Sequence, residues 1–178
     1  MIIDNFNENF ASLILNYSKN YKKIFEDNFY EVHKLIEKKF IKNNYEIVII
    51  NNTNNEEDFE FLRNLTEKYE NIRVIFLEEV VDQETAFTIG LESSIGDVII
   101  TLDLSLHPKE LIERFLELYK KEGYDLVIGI QKDLLLSKNL FKKSLYKFYY
   151  IILSYYSGRK INYALSSCRL FSRKIINH

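Results

Sequence analysis

The sequence predicts an α/β domain built on a mostly parallel sheet, because short apolar runs alternate with longer amphipathic segments. The clearest short run is YEIVII at residues 45–50, whose continuous β-branched character is typical of a strand buried on both faces. The clearest amphipathic segment is 21–41, where apolar side chains recur three or four positions apart. The same alternation continues without a linker or repeat, so we expect one domain over residues 1–178.

The other elements follow from the same two patterns and from the residues that end helices. The predicted strands are 12–15, 45–50, 72–77, 97–102, 124–130 and 167–171. The predicted helices are 21–41, one that follows the polar run 51–55 and continues to residue 69, 84–94, 108–121 and 134–156. Gly96 and Gly123 are predicted to end the third and fourth helices, and Pro108 is expected in the first turn of the fourth.

Composition excludes several classes of protein. Hydrophobic residues make up 47% of the chain, enough to offset the entropy of folding, so intrinsic disorder is excluded. The single Cys excludes an intramolecular disulfide and makes a poor zinc site. The formal net charge of -2 argues against nucleic acid as a partner. No run is long and apolar enough to cross a bilayer, and the start does not resemble a signal peptide, so we expect a cytoplasmic protein.

Two polar segments follow predicted strands and are the candidate binding loops. They are NNTNN at 51–55 and DLSLHP at 103–108. In open α/β sheets ligands bind at the carboxyl ends of the strands, where both segments are expected to lie. Neither segment is a glycine-rich phosphate loop, because the chain contains no GxGxxG and no GxxxxGK[ST] pattern.

The order of several phrases resembles the catalytic domain of the family 2 inverting glycosyltransferases. The phrases are YEIVIINNTNN at 45–55, ETAFTIGLESSIGDVIITLD at 84–103, HPKELI at 107–112, EGYDLVIG at 122–129 and CRLFSRKI at 168–175. The likeness is strongest to the branch that transfers a sugar from a nucleotide to a polyprenyl phosphate, such as dolichol-phosphate mannosyltransferase. It implies a GT-A fold, a Rossmann-like α/β/α sandwich, and a nucleotide-sugar donor. It also implies a lipid-linked acceptor or a membrane surface as a further partner and a role in cell-envelope glycans.

The chain departs from the family's acidic motifs. Asn51 and Asn52 stand where the family has two aspartates that contact the nucleotide base, and Asp103-Leu104-Ser105 stands where it has a metal-binding Asp-x-Asp. Further departures are Glu79 to Asp82 in place of a polar Arg-Asn-x-Gly turn, Ser167 in place of an Asp, and an end at His178 before the family's C-terminal catalytic region. The resemblance therefore implies nucleotide contacts at Asn51, Asn52 and Asp103, and a weak Mg²⁺ or Mn²⁺ site at Asp103 and Ser105.

Each of these residues also has a plain structural interpretation. The Asn run suits a polar loop, since Asn bonds locally in turns, and Ser105 suits a loop hydroxyl. His107 is expected to flank the helix that opens at Pro108, and Cys168 to be a small buried residue. Asp103 lies five positions before Pro108, too far to cap that helix. This apparent lack of a structural role favours a metal or diphosphate ligand.

Two functions remain open on these residues. The first is a nucleotide-sugar-dependent glycosyltransferase of weak or absent activity, and the second is a non-catalytic binding or scaffolding module that keeps the fold. The predicted helix 134–156 also has two interpretations, because aromatic residues at helical spacing are interspersed with Lys138, Lys142, Lys143 and Lys147. Core packing explains this periodicity better, and a membrane-surface helix is the alternative.

Overall fold

The computed structural model describes residues 9–18, 22–41, 44–130 and 165–176, and it confirms the α/β class. The strands are β1 (Ala11–Ser18), β2 (Tyr45–Asn52), β3 (Ile72–Phe76), β4 (Val98–Leu102), β5 (Leu126–Ile130) and β6 (Leu165–Ser172). The helices are α1 (Lys22–Lys39), α2 (Glu56–Lys68), α3 (Gln83–Ser93), α4 (Glu110–Glu122) and α5 (Arg173–Ile176). The helix predicted over 134–156 lies outside the described residues.

The six strands form one sheet in the order β3-β2-β1-β4-β6-β5. β1 pairs in parallel with both β2 and β4, and β2 pairs in parallel with β3. β6 runs antiparallel to β4, so the sheet is mixed but mostly parallel. β1 is thus central, and the carboxyl ends of β1, β2 and β4 lie side by side.

Apolar side chains cover both faces of the sheet. On one face, Ile14, Val48 and Ile50 pack with Ala86 and Phe87 of α3. The other face carries the larger core, to which α1, α2 and α4 contribute. Because both faces are covered, the strands read as continuous apolar runs rather than alternating ones, which is why β2 was predictable from sequence.

Two of the predicted helix boundaries are wrong. α3 ends at Ser94 in an extended conformation, and Gly96 lies in the turn that follows, where a Cβ would be 2.5 Å from the backbone nitrogen of Ser12. Gly96 therefore allows close approach of two backbone segments rather than capping the helix. α4 begins at Glu110, so Pro108 precedes the helix, whereas Gly123 ends it in the left-handed conformation (φ 70°) as predicted.

The chain groups into two compact units, Met1–Val127 with Ser167–His178, and Ile128–Ser166. The cleft described below belongs to the larger unit. A single domain over residues 1–178 therefore stays a prediction. Among the described residues, no helix has both the length and the apolar character needed to span a membrane.

Candidate functional site

A cleft of about 670 Å³ opens at the carboxyl ends of the central strands. Residues from β1, β2, the loops after β2, β3 and β4, and the start of α3 line it: Asn16, Ser18, Asn52, Thr53, Asn54, Asn55, Val80, Val81, Gln83, Asp103 and Leu106. The structure thus brings Asn52 and Asp103 together, as the two candidate loops predicted. Asp103 is the single charged residue among the described residues that line the cleft.

Asn51 is not on the cleft lining. The strand β2 extends through Asn51 and Asn52, so the expectation that the loop begins at Asn51 is wrong. Successive strand residues point to opposite faces, and the side chain of Asn51 is fully buried. Its Oδ1 accepts a hydrogen bond of 2.8 Å from the Thr53 hydroxyl. In this structure Asn51 offers no surface to a ligand.

The amide of Asn52 is paired with the backbone of Val81. Its Nδ2 donates to the Val81 carbonyl at 2.8 Å, and its Oδ1 accepts from the Val81 N–H at 2.9 Å. One amide therefore holds the end of β2 to the loop before α3. The next residue in that loop, Asp82, caps α3 by accepting from the N–H groups of Glu84 and Thr85. The Thr85 contacts hold the pKa of Asp82 below its usual value.

Asp103 has a structural role that was not predicted from the sequence. One carboxylate oxygen accepts from Nε2 of Gln83 at 2.5 Å, and the other accepts from the Ser105 hydroxyl and the Ser105 N–H, the latter at 2.8 Å. The Asp103 carbonyl accepts from the N–H groups of Leu106 and His107. Asp103 therefore organises the turn after β4 as an Asx-type residue, and the premise that it lacked such a role is wrong.

His107 precedes α4 but does not cap it. The N-cap of α4 is Lys109, whose side chain makes no capping bond. Nδ1 of His107 instead lies 3.3 Å from the Asp103 backbone nitrogen and 3.1 Å from its carbonyl oxygen. Desolvation lowers the pKa of His107, and the Asp103 charge opposes that effect. His107 thus stabilises the same turn that carries Ser105.

The residues at the cleft do not fit a divalent cation held by protein groups alone. Both oxygens of the Asp103 carboxylate already accept hydrogen bonds, and the Ser105 hydroxyl donates its proton to one of them. Among the described parts of the chain, no three His, Cys, Asp or Glu side chains group as a metal site. Without displacing Gln83 or Ser105, a cation could use only the remaining lone pair of the oxygen that accepts from Gln83, and its other ligands would come from a substrate.

Residues of β6, in and next to the CRLF motif, contact two of the elements that border the cleft. The Ser167 carbonyl accepts from the Thr101 hydroxyl at 2.7 Å, and Arg169 makes two hydrogen bonds with the Glu84 carboxylate, at 2.7 and 2.9 Å. These contacts connect β6 to β4 and to the first turn of α3. Cys168 is fully buried, as predicted, and desolvation raises the pKa of its thiol to about 12.

Three lining residues were not predicted from the sequence: Asn16, Ser18 and Gln83. Asn16 follows the apolar run LIL in β1 just as Asn51 follows the apolar run in β2, which was the available signal. It was missed because the first strand was predicted to end at residue 15. Gln83 gave no local signal, since its bond to Asp103 spans twenty positions of sequence.

Comparison with known proteins identifies the family. The profile of glycosyl transferase family 2 matches residues 7–178, so the chain belongs to that family. The uncharacterized glycosyltransferase YkcC of Bacillus subtilis is 27% identical over 135 residues, which cover 75% of this chain and 41% of YkcC. The undecaprenyl-phosphate 4-deoxy-4-formamido-L-arabinose transferase of Pectobacterium atrosepticum is 34% identical over 85 residues, covering 47% of this chain and 26% of that enzyme.

Solved structures confirm the fold. The mannosyltransferase PcManGT of Pyrobaculum calidifontis, in complex with GDP-Man and Mn²⁺, superposes with a TM-score of 0.61 at 11% identity, over 95% of this chain and 46% of that one. S. aureus TarS gives a TM-score of 0.58 at 14% identity, over 94% of this chain and 48% of TarS. The fold is therefore GT-A, and the chain spans less than half the length of each of these relatives.

Proposed function

We propose that this chain forms the nucleotide-sugar-binding part of a family 2 glycosyltransferase whose transfer activity is weak or absent. The observation that carries the proposal is the state of Asp103. It is the lone carboxylate among the described cleft residues, and Gln83 and Ser105 already donate hydrogen bonds to its two oxygens. The cleft can receive a ligand at the strand ends, but it offers one carboxylate for a metal-bound diphosphate where the family motif has two.

The donor would enter the cleft between Asn52 and Asp103, the two predicted contact residues that line it. Their neighbours are mostly neutral amides and hydroxyls, which both donate and accept hydrogen bonds and so suit a nucleoside. The base preference need not match that of relatives with aspartates, because an amide offers a donor that a carboxylate lacks. Mg²⁺ or Mn²⁺ would add little affinity in this account.

The proposed acceptor is a polyprenyl phosphate, reached at the cytoplasmic membrane surface. Support comes from the transferases of undecaprenyl phosphate among the relatives. A polyprenyl phosphate is already an anionic nucleophile, so transfer to it does not strictly require a general base from the protein. The matched part of this chain covers 41% of YkcC and 26% of the Pectobacterium atrosepticum transferase, so the acceptor, the lipid contact and the whole protein's activity belong to this proposal.

The alternative is a non-catalytic module that keeps the fold. The bonding of Asn52 favours it, because both ends of that amide serve the Val81 backbone rather than a free recognition surface. Isothermal titration calorimetry with UDP-, GDP- and TDP-sugars tests donor binding, which the proposal requires and a purely scaffolding module does not. Saturable heat with one of these donors is the expected result. No heat with any of them, from protein shown to be folded by circular dichroism, would overturn donor binding and leave the alternative.

A further inference from the structure

Strand β3 lies at one edge of the described sheet. Among the described residues it pairs with β2 alone. The N–H of Leu77, just after the strand, donates to the Asn51 carbonyl of β2, so the odd-numbered residues of β3 turn their backbone groups toward β2. Because these directions alternate along a strand, Val74 and Phe76 turn their N–H and C=O groups outward. An edge of this kind is a template for pairing with another strand.

Two aromatic side chains lie beside this edge, on the face of the sheet that α2 covers. Phe76 ends β3, Phe59 lies on α2, and their rings stack with centroids 4.4 Å apart and an interplanar angle of 7°. Phe59 is 41% exposed and Phe76 is 40% exposed. With Glu60, Arg63 and Thr66 they line a cavity of about 230 Å³. Small-molecule pockets measure roughly 300–1,000 Å³, so this cavity suits one apolar side chain of a partner better than a cofactor.

The charged groups around the cavity are acidic in excess. The Arg63 guanidinium is paired with the Glu67 carboxylate, 3.3 Å from Nε to Oε1. Glu60 thus lies at the cavity without a counter-ion among the described residues, and Glu56 lies one turn earlier on the same side of α2. A second copy paired antiparallel through β3 would place its own α2 and the same carboxylates on this face, which disfavours self-pairing. A partner with Lys or Arg beside its apolar residue is favoured.

We infer that the β3 edge is a docking site for an extended segment of a partner protein, which adds to β3 as a strand and places an apolar side chain against Phe59 and Phe76. Lys or Arg next to that side chain pairs with Glu60 and Glu56. Backbone pairing supplies affinity for a strand, and the cavity with its carboxylates selects the sequence. The surface is separate from the cleft, since none of the described residues that line this cavity lines the cleft.

Blocked peptides test the inference on the 178-residue chain. Fluorescence anisotropy measures the binding of labelled Lys-Val-Phe-Val-Lys, with Lys-Val-Ala-Val-Lys and Glu-Val-Phe-Val-Glu as matched controls. The first peptide should bind saturably. Replacement of its Phe by Ala should weaken binding about tenfold, because the apolar contact is lost. The acidic peptide should bind more weakly than the basic one, by a factor that decreases as salt is added.

Methylation of peptide N–H groups tests strand pairing. Successive N–H groups of a strand point to opposite sides, so only alternate ones can bond β3. Methylation of the two Val nitrogens and methylation of the central Phe nitrogen therefore block opposite sides of the peptide. One of these two peptides should bind about tenfold more weakly than the parent, and the other within about twofold of it. Equal affinities of the two methylated peptides would contradict the addition of a strand.

Variants of the chain locate the site. Glu60→Lys should weaken binding of the basic peptide roughly fivefold and strengthen binding of the acidic one, because it reverses an exposed charge beside the cavity. Phe59→Ala should weaken both. Glu92→Lys, at an exposed position of α3 on the opposite face of the sheet, is the matched control and should leave both affinities unchanged. Circular dichroism checks that each variant is folded.

Two results on the unmodified protein and one on a variant would overturn the inference. The first is no binding of the basic peptide to the wild type, and the second is equal affinity for that peptide in Glu60→Lys and in the wild type. The third is a dimer of the protein, seen by sedimentation equilibrium, that the peptide dissociates, because a second copy would then occupy the edge. No nucleotide enters these measurements, so the proposed function and this inference fail separately.

Discussion

Asn52 and Val81 are joined by two hydrogen bonds, of 2.8 and 2.9 Å, between one side-chain amide and one residue's backbone. This pair holds the end of β2 against the loop that leads into α3. The resemblance to family 2 enzymes implies that those enzymes have an aspartate at the position of Asn52. The amide here therefore has a structural function that a carboxylate cannot fully replace, since a carboxylate has no N–H for the Val81 carbonyl.

Asn52→Ala should lower the free energy of unfolding by about 1–3 kcal/mol, because it leaves both partly buried Val81 groups without partners. Asn52→Asp should also destabilise, since it sets a negative oxygen against the Val81 carbonyl. Urea denaturation followed by circular dichroism measures both. Asn64→Ala, on the exposed surface of α2, is the control and should change stability by less than about 0.5 kcal/mol. Equal stability of Asn52→Ala and wild type would refute the structural role of this pair.

Ser105→Asp should destabilise the protein in the absence of metal and create a Mn²⁺ site. The new carboxylate would face Asp103, and two like charges in contact repel until a cation neutralises them. The melting temperature of this variant should rise on addition of Mn²⁺. Ser105→Asn, of matched size without the charge, should show no rise. If Mn²⁺ raises the melting temperature of the wild type as much as that of Ser105→Asp, residue 105 is not at a metal position.

His33 should make stability depend on pH near neutrality. Its ring is buried against Tyr69, 4.2 Å between ring centroids, and desolvation lowers its pKa below 6.5. The Glu37 carboxylate opposes this shift and Lys68 adds to it. Because the unfolded chain then binds a proton that the folded chain does not, stability decreases as the pH falls through 6.5.

His33→Phe removes the titrating imidazole and keeps an aromatic ring in the same surroundings. The loss of stability between pH 7.5 and pH 5.5, measured by urea denaturation, should therefore be smaller in the variant than in the wild type. A pH dependence of equal size in both proteins would show that His33 titrates alike in the folded and unfolded states.

Much of the fold could be predicted because local patterns determine it. β2 and α1 were found from composition and periodicity alone, and Gly123 ends α4 as its left-handed conformation requires. Gly96 could not be assigned in this way. Its requirement is the approach of the Ser12 backbone, eighty-four positions earlier in the chain, which no local pattern records.

The candidate site was half predictable. The two loops meet as expected, because parallel strands bring their carboxyl ends to one edge. The roles of single residues depend on contacts across the sheet. Asp103 accepts a hydrogen bond from Gln83, twenty positions earlier in the chain. Asn16 lies level with Asp103 because β1 pairs with β4 on one side and with β2 on the other. The Asp-x-Ser spacing at residues 103–105 is typical of an Asx turn, but the resemblance led us to interpret it as a weakened metal motif.

The effect of Mn²⁺ on nucleotide-sugar affinity tests the central claim most directly. Calorimetry with the donor that binds, in Mn²⁺ and in EDTA, should give dissociation constants that differ by no more than a few-fold, because one carboxylate already bonded to Gln83 and Ser105 coordinates poorly. Asp103→Ala should leave that small difference unchanged. A large gain in affinity with Mn²⁺ that disappears in Asp103→Ala would contradict the account and identify an intact metal-dependent donor site.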